Sequence, residues 1–179
     1  MGGKTTPFNI MNPIEIDYSI EIDYTPDSQN LVRILKRGNN DNISQWAACH
    51  SNCPPEILSE VLKRGEDNAV SRNAAVNSNC PPEILKEVLK RGRNDWVSYY
   101  AAWNSNCPSE ILAEVLRRGE NDNVSNAAYR NPNCPPEARI NWMQVTGKIK
   151  KEDPSKHIIE YEKIKEDDFQ DLKDLLKNC

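Results

Sequence analysis

One seven-residue phrase returns along this chain at a fixed interval. Asn79-Cys80-Pro81-Pro82-Glu83-Ile84-Leu85 starts again at Asn52 and at Asn106, where Ser109 stands for the second proline, and a shortened copy starts at Asn133. Cys53, Cys80, Cys107 and Cys134 mark the period, 27 residues from each to the next. A fixed period of that length is the mark of a repeat array, in which each unit is one supersecondary element stacked on its neighbours.

The units run over residues 26–52, 53–79, 80–106 and 107–133, with a partial fifth over 134–147. Each reads as two short helices. In the second unit the first helix is expected over residues 54–64. Proline pre-sets the first helical turn and has no N–H to lose there. Glu56 suits the positive end of the helix dipole, and Lys63 and Arg64 suit the negative end. Ile57, Leu58, Val61 and Leu62 form one apolar face, and Gly65 supplies the left-handed stop. The second helix is expected over residues 68–77, capped by Asp41, Asn68, Asp95 and Asp122 in successive units. Inside it Ser44, Ser71, Ser98 and Ser125 are identical, and Ala47, Ala74, Ala101 and Ala128 keep one side small. The five or six aliphatic side chains of a unit contribute roughly 1.5–3 kcal/mol each when buried. Ordering 27 residues costs on the order of 30–40 kcal/mol. No unit stands alone, so the expected fold is an all-α solenoid, four full repeats and a partial fifth, closed by terminal caps.

Both termini fall outside the repeat. Residues 1–25 form an N-terminal extension in which Ile14 to Tyr24 alternate apolar with acidic or polar side chains, the period of a strand. Two readings fit: a cap over the first repeat, which is the expectation, or strand pairing and self-association through residues 14–24. Residues 148–179 read as a charged linker and then an amphipathic helix with Ile158, Tyr161, Phe169, Leu172 and Leu176 on its stripe. Capping the last repeat is the expected role, docking a partner the other. No apolar run is long enough to cross a bilayer and no signal segment opens the chain, so a cytoplasmic location is expected. Met1-Gly2-Gly3-Lys4-Thr5-Thr6 fits the loose myristoylation pattern, but the match is short, Gly2-Gly3 also fits a remnant of a cloning tag, and lipidation is not the expectation.

The run from Asn68 to Leu85, and most closely Asn131-Pro132-Asn133-Cys134-Pro135-Pro136-Glu137, resembles the leucine-rich repeat variant family in its combination of Val, paired Ala, Asn and Pro-Pro-Glu. The resemblance covers about residues 26–147. It implies a right-handed solenoid of alternating helices, similar in shape to HEAT and armadillo arrays. The 27-residue period is longer than that family's usual unit, which predicts an α-helix and not a 3₁₀ turn as the second element. The family's iron–sulfur cluster has no matching cysteine-rich segment in this chain, and no cofactor is expected.

The cysteines do not read as a metal site. Helix spacing of roughly 8–10 Å exceeds the ~7 Å limit for a disulfide, and four thiolates in a row cannot converge on one tetrahedral ion. They are expected to be small buried residues. Cys49, His50 and Cys53 are the one local cluster, and His50 reads as a turn residue because it takes the slot of Asn77, Asn104 and Asn131. No nucleophile elbow, phosphate loop or paired-carboxylate motif is present, so no enzyme is expected.

Two surfaces remain. Lys36-Arg37, Lys63-Arg64, Lys90-Arg91 and Arg117-Arg118 recur each period and would align into a ridge able to follow a phosphate backbone. Their other reading is dipole complement and pairing with Glu60, Glu87 and Glu114. Basic and acidic side chains balance over residues 26–147, and the net charge of −4 gives no bulk attraction to nucleic acid. The second surface comes from what varies. The third unit places Trp96, Tyr99, Tyr100 and Trp103 at i, i+3, i+4 and i+7 on one helix face, where other units hold unlike residues. Trp46, Arg72 and Arg130 can extend it. Exposed aromatics with arginine are typical of binding hot spots. Packing between helix layers or against a terminal segment is the alternative. The expectation is protein binding on this face, to a partner the sequence does not identify, with nucleic-acid binding along the ridge as runner-up.

Overall fold

In a computed structural model the described residues are 27–149. The expected strand at 14–24 and the expected helix after residue 155 lie outside them. The described chain is all helical: α1 Ser28–Lys36, α2 Asn42–Cys49, α3 Pro55–Lys63, α4 Ala69–Val76, α5 Pro82–Lys90, α6 Trp96–Trp103, α7 Ser109–Arg117, α8 Asn123–Arg130 and α9 Pro136–Val145. Each odd-numbered helix is the first of its unit. The second element is a true α-helix of eight residues, as the long period predicts.

Local chemistry sets the boundaries. Pro54 and Pro81 stand at the N-caps of α3 and α5, with Pro55 and Pro82 in the first turn. Gly65 ends α3 at φ 74°, a left-handed conformation that a Cβ would strain. The second helices start on an acceptor side chain: Asp41, Asn68, Asp95 and Asp122 each accept the backbone N–H of the serine three residues on, at 2.7–2.9 Å. These bonds, led by the Ser44 N–H, hold the Asp41 carboxyl below its usual range.

The helices form two layers. In the first-helix layer Ile57, Leu58, Val61, Leu62 and their counterparts fill the core. The second-helix layer packs through Ala47, Ala74, Ala101 and Ala128, all fully buried. Small side chains let these helices approach more closely than the first helices do. A stack with one layer more tightly spaced bends toward that layer, so the second helices line the concave side.

Polar ties recur between units. The side-chain amide of Asn77 donates to the carbonyls of Ala48 at 2.8 Å and His50 at 3.1 Å. Asn104 does the same to Ala75 and Asn77, and Asn131 to Ala102 and Asn104. Asn79, Asn106 and Asn133 form a parallel series onto the preceding turn. On the other edge Arg64, Arg91 and Arg118 each donate to the carbonyl of Leu35, Leu62 or Leu89 at 2.8–2.9 Å. These carbonyls lie at helix ends, where the intrahelical ladder runs out; those of Leu35, Leu62, Leu89, His50, Asn77 and Asn104 also accept a local backbone N–H. His50 is the expected turn residue: its Nδ1 accepts the Asn52 N–H at 3.0 Å, the local half of the asparagine's work.

Among the described residues the fifth unit is the last of the array. Tyr129 and Trp142 take slots held by alanine and valine in inner units, and their rings meet at 5.2 Å. Trp142 is fully buried and donates through Nε1 to the Glu120 carbonyl at 2.7 Å. Arg139, in a leucine slot, donates to the Asn131 carbonyl, which in inner units the next asparagine would cover. Lys148 sits 4.0 Å above the Trp142 ring. Ala138, in an isoleucine slot, lines a half-open groove of about 330 Å³ between α7 and α9, and Val145, in the arginine slot, is 72% exposed.

Candidate binding face

The α6 side chains divide cleanly. Val97, Ser98, Ala101 and Ala102 point into the array and are buried. Trp96, Tyr99, Tyr100 and Trp103 point to the concave side. Trp96 is 48% exposed, while the other three are half-buried and rest partly on the core. Tyr99 is the centre of the panel: it stacks on Trp103 at 6.2 Å and 14°, and meets Trp96 and Tyr100 edge-on at 5.6 and 5.2 Å. Offset stacking and edge contacts are the favourable ring geometries, so the four rings form one pre-ordered surface.

Not every residue expected on this face joins the panel. Trp46 lies on α2, two second helices away, and packs edge-on against His50 at 5.1 Å. Arg72 on α4 is held by Asp67 at 3.0 Å. Arg130 ends α8 and is exposed. A further cation reaches the same corner: Lys148 donates to the Asn126 side chain at 3.2 Å. Burial pulls its ammonium below the usual value, and Arg130 nearby adds to the pull. None of the four second helices carries an Asp or Glu within its span. Lys148 is not visible as part of this face in the sequence because it stands beyond the last repeat.

Along the expected basic ridge Arg37, Arg64 and Arg91 are exposed and Arg118 is half-buried. Lys36, Lys63, Lys90 and Arg117 end the first helices and are exposed. Arg64, Arg91 and Arg118 tie their unit to the one before, and Arg37 turns back onto the Ile34 carbonyl at 3.5 Å. Their strict recurrence one residue before a helix-ending glycine was the available signal.

The thiols behave as core. Cys53, Cys80, Cys107 and Cys134 are buried and free. Burial pushes the Cys53, Cys80 and Cys107 thiols up to about 12, and raises Cys134 also. Such thiols are poor nucleophiles. Among the described residues no group of three His, Cys, Asp or Glu side chains is placed to hold a metal ion, and no helix is long and apolar enough to cross a membrane.

The chain matches no family model, no curated protein and no solved structure.

Proposed function

We propose that this array is a non-enzymatic protein-binding scaffold of the leucine-rich repeat variant kind, working in the cytoplasm, and that its partner docks on the concave face at α6. The observation that carries this reading is the panel itself. Four aromatic side chains stand on one helix face where the neighbouring units hold Ala69, Arg72, Asn73 and Val76, or Asn123, Asn126, Ala127 and Arg130. The stack is built without aromatics at those positions in α4 and α8, so their presence in α6 serves something other than stacking. Trp96, Tyr99, Tyr100 and Trp103 are the anchors, with Arg72 and Arg130 flanking them on adjacent helices and Trp46 further along the groove.

The test replaces the panel with residues the array already tolerates at these positions: Trp96→Asn, Tyr99→Asn, Tyr100→Asn and Trp103→Val together. Capture from source-cell lysate is compared for wild type and variant, with and without nuclease, after circular dichroism confirms equal helical content. A nuclease-resistant partner lost in the folded variant supports the reading. A catch that survives the variant places binding elsewhere, and one that vanishes with nuclease moves it to the ridge of Lys36, Arg37, Lys63, Arg64, Lys90, Arg91, Arg117 and Arg118.

A further inference from the structure

The repeat register sets charge beside the rings. Counterparts 27 residues apart stand side by side on neighbouring second helices, so Tyr99 lies between Arg72 and Asn126, and Trp103 between Val76 and Arg130. Arg72 is engaged by Asp67 at 3.0 Å. On the other flank the Asn126 side chain is fixed: its amide donates to the Asp122 carbonyl at 2.7 Å and its oxygen accepts from Lys148 at 3.2 Å. Lys148 also rests 4.0 Å above the Trp142 ring, so its ammonium is held beside α8, where Arg130 is exposed. The spans of α2, α4, α6 and α8 hold no carboxylate. Asp41, Asp95 and Asp122 sit at N-terminal ends, away from Trp103 and Arg130, and each accepts a serine N–H. From this juxtaposition we propose that the ligand of the concave face is an acidic peptide segment, which seats an aromatic or aliphatic side chain on the α6 panel and carboxylates on Arg130 and Lys148. The inference rests on the binding role proposed for that face.

Competing ligands fit the same geometry less well. Aromatic faces attract cations, but Arg130 and Lys148 beside these rings repel them. A neutral proline-rich segment would use the rings and gain nothing from the two cations. A single-stranded nucleic acid needs a run of phosphate contacts, and α2, at the other end of the face, carries no basic side chain. The rings touch one another at 5.2–6.3 Å, so no pair of them is parted to take a base between. An anion relieves the mutual repulsion of Arg130 and Lys148, whose ammonium is lowered first by burial and then by Arg130. The span suits an extended chain. Neighbouring helices lie roughly 8–10 Å apart. Alternate residues of an extended chain share one face and are spaced by about 7 Å. An anchor on α6 therefore brings the residues two and four places along, and not those one and three places along, over α8 on the anchor's own side.

The probe is a displayed library of random dodecapeptides, selected on the full chain and counter-selected on the panel variant, so that only panel-dependent binders are kept. The expected consensus is an aromatic or aliphatic residue with Asp or Glu two and four places from it. The dissociation constant of the leading peptide, read by fluorescence anisotropy, should rise about tenfold in Arg130→Gln/Lys148→Gln, the combined effect of two exposed ion pairs. In Arg130→Lys, which keeps the charge, it should stay within about twofold. Circular dichroism checks that each variant keeps its helical content. Moving both carboxylates of the peptide by one place tests the same contact on the unaltered chain and should also weaken binding about tenfold. A basic or uncharged consensus, no panel-dependent binder, an unchanged constant in the double variant or for the shifted peptide, or tighter binding of a single-stranded oligothymidylate each overturns the proposal. The docking face itself falls only when lysate capture survives the panel variant, so it can stand when the acidic ligand does not.

Discussion

The two helix layers are built on opposite rules. In α3, α5 and α7 the four inward positions are Ile, Leu, Val and Leu each time, while the second helices hold inward serine and alanine and vary on the side away from the core. The wide layer needs large side chains to fill its spacing, and the narrow layer admits only small ones. Between two stacked second helices a bulky residue has one place to go, which is outward; Tyr129 points inward only in α8, where it packs on Trp142. The concave face is therefore free to change from unit to unit at little cost to the stack.

Four measurements press on this contrast. The largest effect is expected in the wide layer, where Leu85→Ala should lower stability by about 2–5 kcal/mol in denaturant unfolding. Ala101→Leu, the opposite size change in the narrow layer, should also destabilise, by about 1–3 kcal/mol; a neutral result would mean the second helices are not tightly spaced. Next come the ties. Asn104→Ala removes two inter-unit bonds and the acceptor of the Asn106 N–H, so a loss of about 2 kcal/mol is expected. His50→Ala loses a local bond and the edge contact with Trp46 but no inter-unit side-chain tie, and should cost less than Asn104→Ala in the same titration.

The third measurement is alkaline. Cys80 and Cys107 have folded-state values of about 12 against an ordinary 9.0. The fold favours the neutral thiol, so their contribution is whole below pH 9 and is lost as pH rises toward 12. Thermal melts of Cys80→Ala/Cys107→Ala should start lower and fall less steeply over that window; equal slopes would show the thiols are not what titrates. The smallest effect should come from the concave face: Trp96→Asn is expected to change stability by under about 0.5 kcal/mol, and a larger loss would make that ring part of the core.

Much of this architecture was legible from the chain. The period, the proline starts, the Asp and Asn caps and the buried cysteines follow from local rules that hold wherever the residues recur. The panel was legible as a face, because i, i+3, i+4 and i+7 share a side of any helix. Its depth was not: how far Tyr99, Tyr100 and Trp103 sink depends on the spacing of neighbouring helices. The ties were hidden for a related reason. Asn77 reads as a turn residue from its neighbours, and its acceptors lie 27 and 29 residues back. Arg64 looks like any surface cation until the Leu35 carbonyl is beside it. The fifth unit reads only as a partial copy; that its Arg139 and Trp142 pack with Tyr129 of the fourth unit and tie back to it needs the structure.

The ties between units also have a direction. Arg64, Asn77 and Asn79 reach back to carbonyls of the unit before. A unit emerging during synthesis therefore meets acceptors that are already in place and can lock at once, without waiting for the sequence still to come. Assembly of such an array is vectorial, and among the described residues the fifth unit ends it with Arg139 and Trp142 in place of a further asparagine tie.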